Sequence, residues 1–196
     1  MTFIETVPEP LATGAVAEMY SIDRETFGFL PNLTQAFALR PDVYAAWRQL
    51  NGAIKATMDL RRYELATVAA AVRLRSSYCT LAHASVLIDR FLDPGAVRAV
   101  VEDYRTSGLD AIEVAVMDLA DEVADDATSV TQADIDRLRE LGLNDGEILD
   151  VVLAASARCF FSKTLDALGV PPDAKYSEFD PELRDALTVG RAIGPQ

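Results

Sequence analysis

The stretch ELATVAAAVRLRSSYCTLAHASVL, residues 64–87, decides how this chain is read. It opens with Glu64 on an almost wholly apolar run, Leu65 to Ala71, which only a helix buried on most of its sides can hide. It then carries the single histidine of the chain, His83, four residues after Cys79, one of only two cysteines. On a helix those two share a face, and Ser76, three residues before Cys79, extends the stripe. Ser76 or Ser77 is suited to cap the helix that begins there, which sets the thiol near a positive helix end. That position, with an imidazole in reach, is how proteins favour the thiolate, the form that attacks peroxide or disulfide. The same spacing also suits a small core cysteine beside a satisfied histidine, so spacing alone leaves both readings open.

Glu64 bears on the choice. In one straight helix the residues from Glu64 to Cys79 would span about 22 Å at about 1.5 Å each. A carboxylate in an apolar helix needs a partner, so the chain is expected to bend at Arg75, Ser76 and Ser77. The second helix then folds back, bringing Glu64 to His83, where it fixes the tautomer. Otherwise Glu64 merely sits at a helix start, where negative charge is stabilising anyway.

Outward from this stretch the chain reads as helix after helix, with Pro and Gly at the joints and almost no strand signal. The expected segments are 13–27, 33–39, 42–55, 60–74, 77–90, 95–106, 109–126, 132–141, 145–169 and 181–189, an all-α fold. Pro31, Pro41, Pro94 and Pro181 fall at or just before helix starts, where a missing N–H costs least. Thr131 with Asp134, and Asn144 with Glu147, have N-cap spacing; Gly142 and Gly169 have the character of terminators. The acidic row Asp118, Asp121, Glu122 and Asp125 is expected to be a solvated face, because one helix splays its carboxylates away from any common metal. Phe27, Tyr44 and Trp47 are candidates for a pocket entrance, although aromatics at helical spacing usually belong to the core.

A chain of 196 residues with half its composition apolar is long enough for one core, and is expected to form a single domain over 1–196. Its body is 27–170, with an N-terminal arm at 1–12 and an extension at 171–196 that wraps the surface or a neighbouring subunit. A net charge of −13 makes nucleic acid and anionic membrane poor partners. Two cysteines make no disulfide framework, and the N-terminal sequence lacks the blocks of an export signal, so a cytoplasmic setting is expected.

These residues resemble the alkylhydroperoxidase AhpD and carboxymuconolactone decarboxylase superfamily, in its peroxidase-related branch. The signature of that group is E-x11-C-x2-C-x3-H; Glu64, Cys79 and His83 match it, and Ser76 stands at the first cysteine. Further resemblance lies in FGFLPNLTQAFALRPDVYAAW (27–47) and in DIDRLRELGLNDGEILDVVLAASARCFFSKTLDALGV (134–170). The superfamily implies an AhpD-like helical fold with an internal pseudo-repeat. An echo is present: Glu147 precedes Cys159 as Glu64 precedes Ser76, with Arg158 and Arg75 before each. In that frame Ser162 replaces Cys79 and Asp166 replaces His83, so Cys159 is expected to be a packing residue.

The resemblance implies a cofactor-free, metal-free thiol peroxidase or oxidoreductase of antioxidant type, with Cys79 as nucleophile and Glu64 and His83 relaying its proton. Its substrate would be a hydroperoxide. With Ser76 in place of a resolving cysteine, Cys79 would stop at sulfenic acid and turnover would need an external thiol reductant, or Cys159 if the fold brings it near. Ser76 remains able to donate a hydrogen bond to a thiolate. The decarboxylase side of the superfamily implies a second reading, acid/base work by His83 and Glu64 on a small organic acid, with a local arginine such as Arg75 capturing its carboxylate. A helical binding protein that retains part of the site is the third. Helices rich in Ala and Leu suggest self-association, and the resemblance implies a trimer or hexamer, with a dimer also open.

Overall fold

The structure is a computed structural model that describes residues 2–194. Its regular elements are α1 (Gly14–Phe27), α2 (Asn32–Ala36), α3 (Pro41–Thr57), α4 (Leu60–Arg73), α5 (Ser77–Arg90), α6 (Pro94–Asp103), α7 (Ala111–Asp126), α8 (Gln132–Glu140), α9 (Asp145–Ala167) and α10 (Pro181–Leu187). Two 3-10 turns lie at Glu9–Leu11 and Ala174–Glu178, and no strand occurs among the described residues.

Local chemistry sets the helix ends. Asp59, Asp93, Asp110, Asn144 and Asp180 each accept backbone N–H groups at the starts of α4, α6, α7, α9 and α10. Pro41, Pro94 and Pro181 occupy first helical positions. Thr131 and Asn144 head capping boxes with Asp134 and Glu147, as their spacing suggests. Gly142 and Gly169 lie in the left-handed region, at φ 101° and 70°, just beyond α8 and α9. Two helices stop three residues earlier than the periodicity suggests. α2 ends at Ala36 because residues 37–39 turn ahead of Pro41, with Arg40 N–H donating to the Phe37 carbonyl at 2.8 Å. α6 ends at Asp103, where the Thr106 and Ser107 hydroxyls take the Asp103 and Tyr104 carbonyls and compete with the helix ladder.

α4 is the centre of the molecule, packed against α5, α7 and α9. Leu65, Ala66, Val68 and Ala70 are wholly buried, and the small alanines allow the neighbouring helices to approach closely. One apolar cluster joins α4, α7 and α9 to α6, α8 and α10; a second joins α1 and α3 to the start of α5 and the end of α9, and includes Cys79.

The chain breaks between α4 and α5 where the sequence suggests. Arg75 takes φ 55°, uncommon for a residue other than glycine, and Ser76 N–H closes back on the Ala71 carbonyl at 2.9 Å. The extension locks this turn. The Gly190 backbone lies so close that a Cβ there would sit 1.9 Å from the Arg75 carbonyl oxygen, and Gly190 N–H donates to Ser77 Oγ at 2.8 Å. The extension thus wraps its own chain: Tyr176, Leu183 and Leu187 are buried in the core, and Asp173 accepts hydrogen bonds from the Tyr78 hydroxyl and, at 2.8 Å, from Asn32 N–H.

The echoed stretch from Glu147 to Asp166 follows a different path. It lies within α9, one unbroken helix of 23 residues. Where the first copy has Ser76 and Ser77, which favour caps, the second has Cys159 and Phe160, which continue the helix.

Candidate active site

Glu64, in the first turns of α4, and His83, near the middle of α5, meet because of the break at Arg75. His83 Nδ1 lies 2.5 Å from Glu64 Oε2. Burial tends to raise the carboxyl pKa of Glu64, but His83, Lys55 and Arg158 outweigh it and hold the group below the ordinary carboxylate range. His83 is pushed down, first by burial and then by Arg158, against the pull of Glu64. At neutral pH Glu64 is therefore ionised and His83 neutral, with Nδ1–H donating to the carboxylate. That leaves His83 Nε2 as a bare base.

Cys79 is 2% exposed, one turn before His83 on α5, and carries a free thiol. The Arg158 side chain reaches it from α9, with Nη1 3.5 Å from Sγ. Arg158 is itself 3% exposed and lies over the rings of Trp47 and Phe161, 5.7 and 5.6 Å from their centroids. Burial works against its charge, yet Cys79 and Tyr63 more than restore it, and its pKa is raised. Its Nε–H has no hydrogen-bond partner.

A cavity of about 350 Å³ opens over this group, between α1, α3 and α5. Glu64, His83 and Arg158 line it, and Tyr44, Trp47 and Phe161 form apolar wall. Tyr44 and Trp47 belong to the core and to the cavity at once, whereas Phe27 lies half exposed at the rim. Cys79 is not among the lining residues; it sits beneath them, behind Arg158. Lys55 closes one side, 3.5 Å from Glu64 Oε1 and 4.9 Å from the centre of the Tyr63 ring. Asp23 closes the other. This buried carboxylate accepts from Thr34 at 2.5 Å, Tyr44 at 2.6 Å and Arg48 at 2.8 Å, which ties α1, α2 and α3 together at the mouth.

The other sequence candidates fall elsewhere. Ser76 occupies the N-cap position of α5 but makes no side-chain cap; it is buried, with no hydrogen bond of normal geometry at Oγ. Cys159 is half-buried and packs against the other apolar cluster from the one that holds Cys79, and burial raises its thiol pKa. Arg75 is exposed at the α4–α5 turn, whereas Arg158, its counterpart in the echo, lines the cavity. The acidic row faces solvent, and two of its members are ion-paired there: Asp118 with Arg105 at 2.6 Å and Asp121 with Arg73 at 2.6 Å. Among the described residues, no three His, Cys, Asp or Glu side chains are placed to share a metal ion. No described helix is long and apolar enough to cross a membrane.

Arg158, Lys55, Arg48 and Asp23 have no role in the sequence reading. The repeat contained one signal, an arginine immediately before Cys159, but nothing in a one-dimensional pattern turns it towards Cys79.

The helical order is that of an all-α AhpD-like fold, as solved structures show. The chain matches the alkylhydroperoxidase AhpD core structure of an uncharacterized peroxidase-related protein from Ralstonia eutropha JMP134 with a TM-score of 0.80 and 20% identity, over 97% of this chain and 98% of that one. An uncharacterized peroxidase-related protein from Silicibacter sp. TM1040 matches with a TM-score of 0.78 and 22% identity, over 91% and 98%. A cysteine-to-alanine form of the debrominase Bmp8, in complex with 2,3,4-tribromopyrrole, matches with a TM-score of 0.73 and 13% identity, over 95% and 98%. No family model matches the sequence, and no curated protein does.

Proposed function

We propose that the protein is a cofactor-free, thiol-dependent oxidoreductase of the peroxidase-related AhpD type, with Cys79 as its nucleophile. The observation that carries this reading is the buried Arg158 guanidinium set against Cys79 Sγ, next to a Glu64–His83 pair polarised to accept a proton. Cys79–SH gives its proton to His83 Nε2, and Glu64 balances the imidazolium. The thiolate, held by Arg158, attacks the terminal oxygen of a hydroperoxide. An S–O bond forms as the O–O bond breaks, and the alkoxide takes the proton from His83, so that thiol and hydroperoxide become sulfenic acid and alcohol. One external thiol converts the sulfenic acid to a mixed disulfide and water; a second releases Cys79–SH and a free disulfide. Cys159 does not serve as resolver in this scheme, because it packs on the other cluster.

The test is dimedone trapping at Cys79 after hydroperoxide treatment, read by mass spectrometry. A stoichiometric adduct supports the reading; an unmodified Cys79 overturns it. One observation favours the acid/base alternative: His83 and Glu64 line the cavity and Cys79 does not. Full turnover in Cys79→Ser with none in His83→Ala would establish that alternative. The same reading includes self-association, since Leu50 of α3 and Leu149, Leu153 and Phe160 of α9 are exposed. Light scattering on the purified protein measures it directly.

A further inference from the structure

We propose that Tyr63 is a positioning residue of this site, holding the Arg158 guanidinium against Cys79 from an anchor between Lys55, His83 and Asn51. The proposal rests on the reading above for the role of the thiol, but it concerns the charge beside Cys79, which needs no turnover.

The anchor comes first. Tyr63 is 1% exposed and immediately precedes Glu64 on α4. Successive residues on a helix point about 100° apart, so the two side chains reach common neighbours from different sides. Glu64 meets His83 at 2.5 Å and Lys55 at 3.5 Å through its two carboxylate oxygens. Tyr63 meets the same pair through its ring. Lys55 Nζ lies over the ring, 4.9 Å from its centroid, and the His83 ring makes a T with it, centroids 6.0 Å apart and planes at 64°. A buried ring held on both sides in this way does not swing.

The hydroxyl comes second. It donates to Asn51 Oδ1 at 2.6 Å. A phenol has one proton, so once that proton is spent on Asn51 the oxygen can only accept. An oxygen in that state, fixed and buried, suits a cation. Burial opposes the charge of Arg158, and Cys79 and then Tyr63 are the neighbours that favour it.

The third step is what a neutral anchor achieves. A carboxylate would orient the guanidinium but cancel its charge, whereas a phenol oxygen orients it and leaves the charge for the sulfur, 3.5 Å from Nη1. The competing reading is a tyrosine that merely fills the second apolar cluster, to which it belongs. The hydroxyl separates the two readings, because Tyr63→Phe keeps the ring and its packing and removes only the acceptor.

Thiolate formation at Cys79 is followed by ultraviolet absorbance as the pH is raised, each protein being read against its own Cys79→Ser blank, which subtracts Cys159 and the tyrosines. Tyr63→Phe is expected to move the midpoint upward by about half a pH unit or more, since a hydrogen bond to a charged group is lost. In an Arg158→Gln background the same change should move it no further, because the hydroxyl acts through the guanidinium. Should Tyr63→Phe fail to fold, Asn51→Ala, at a half-buried side chain on the cavity wall, provides a second measurement. It releases the phenol proton from its acceptor and should raise the midpoint by a smaller amount. An unmoved or lowered midpoint in Tyr63→Phe, or in Asn51→Ala where that variant alone folds, overturns the proposal. So does an equal upward shift with and without Arg158. Dimedone trapping on wild type separates this proposal from the reading it rests on: a raised midpoint in Tyr63→Phe with a Cys79 inert to hydroperoxide removes only the redox chemistry, and sulfenate at Cys79 with an unmoved midpoint removes only the role of Tyr63.

Discussion

Arg158 and Cys79 stand 79 residues apart in the chain and 3.5 Å apart in space, Nη1 to Sγ. Both are buried, on α9 and α5, and the contact places a fixed positive charge where a thiolate would form. Replacing Arg158 with Gln keeps a donor and removes the charge. The sulfenylation rate of Cys79 at neutral pH should fall at least tenfold in Arg158→Gln and less in Arg158→Lys, measured by timed dimedone quenching against a fixed hydroperoxide concentration.

The Glu64–His83 pair gives a second expectation. General acid–base groups of this kind contribute about 10²–10⁴ to rate. His83→Ala should therefore slow hydroperoxide reduction about a hundredfold or more with an external thiol in excess. Glu64→Gln keeps the shape but removes the charge that balances the imidazolium, and should cost about tenfold to a hundredfold. Steady-state kinetics at saturating thiol distinguish these losses from slow regeneration.

Acid should destabilise the fold in two stages. His83 is held below the ordinary imidazole value of 6.5, so as the pH falls through that value the unfolded chain takes up a proton that the folded chain refuses, and stability drops. Glu64 is held below 4.5, and its contribution, present above that value, is lost as the pH falls further. Asp166 and Asp173, raised by burial, act in the opposite sense in the carboxylate range, so the stage near pH 6 is the cleaner one. Urea unfolding of wild type and His83→Asn between about pH 7.5 and 5 should show a downward slope for wild type that the variant lacks.

Much of this architecture was legible in the sequence because it is local. Caps such as Asn144 with Glu147, terminators such as Gly169, and the break at Arg75 are written in adjacent residues, and they give helix ends within a few positions. The meeting of Glu64 and His83 was also within reach, since one turn between two helices suffices to make it. Arg158 was not, because its approach to Cys79 depends on how α9 rotates against α5, which packing of the whole second cluster decides. The charge at the cavity mouth escaped for the same reason: Asp23, Arg48 and Lys55 lie on α1 and α3, and only the fold gathers them. Few residues of the extension are apolar, which in sequence suggests a segment lying on the surface or a neighbour; Leu183 and Leu187 suffice to anchor it on its own chain.

That anchoring supplies the last expectation. Gly190 lies where a Cβ would fall 1.9 Å from the backbone oxygen of Arg75, the residue whose φ of 55° turns α4 into α5. Backbone cannot yield as a flexible side chain does, so Gly190→Ala must lift the extension from the turn or distort the turn itself. Overpacking of this kind costs about 1–3 kcal/mol. The same change at Gly52, inside α3 with nothing within 4 Å of its Cβ position, should stabilise by about 0.5–1 kcal/mol through helix propensity alone. Urea midpoints for the two variants should therefore move in opposite directions. Because Gly190 also donates to Ser77, two residues from Cys79, sulfenylation should slow in Gly190→Ala under conditions where the protein is still fully folded. Unchanged stability and reactivity in that variant would show that the extension neither holds the turn nor positions the thiol.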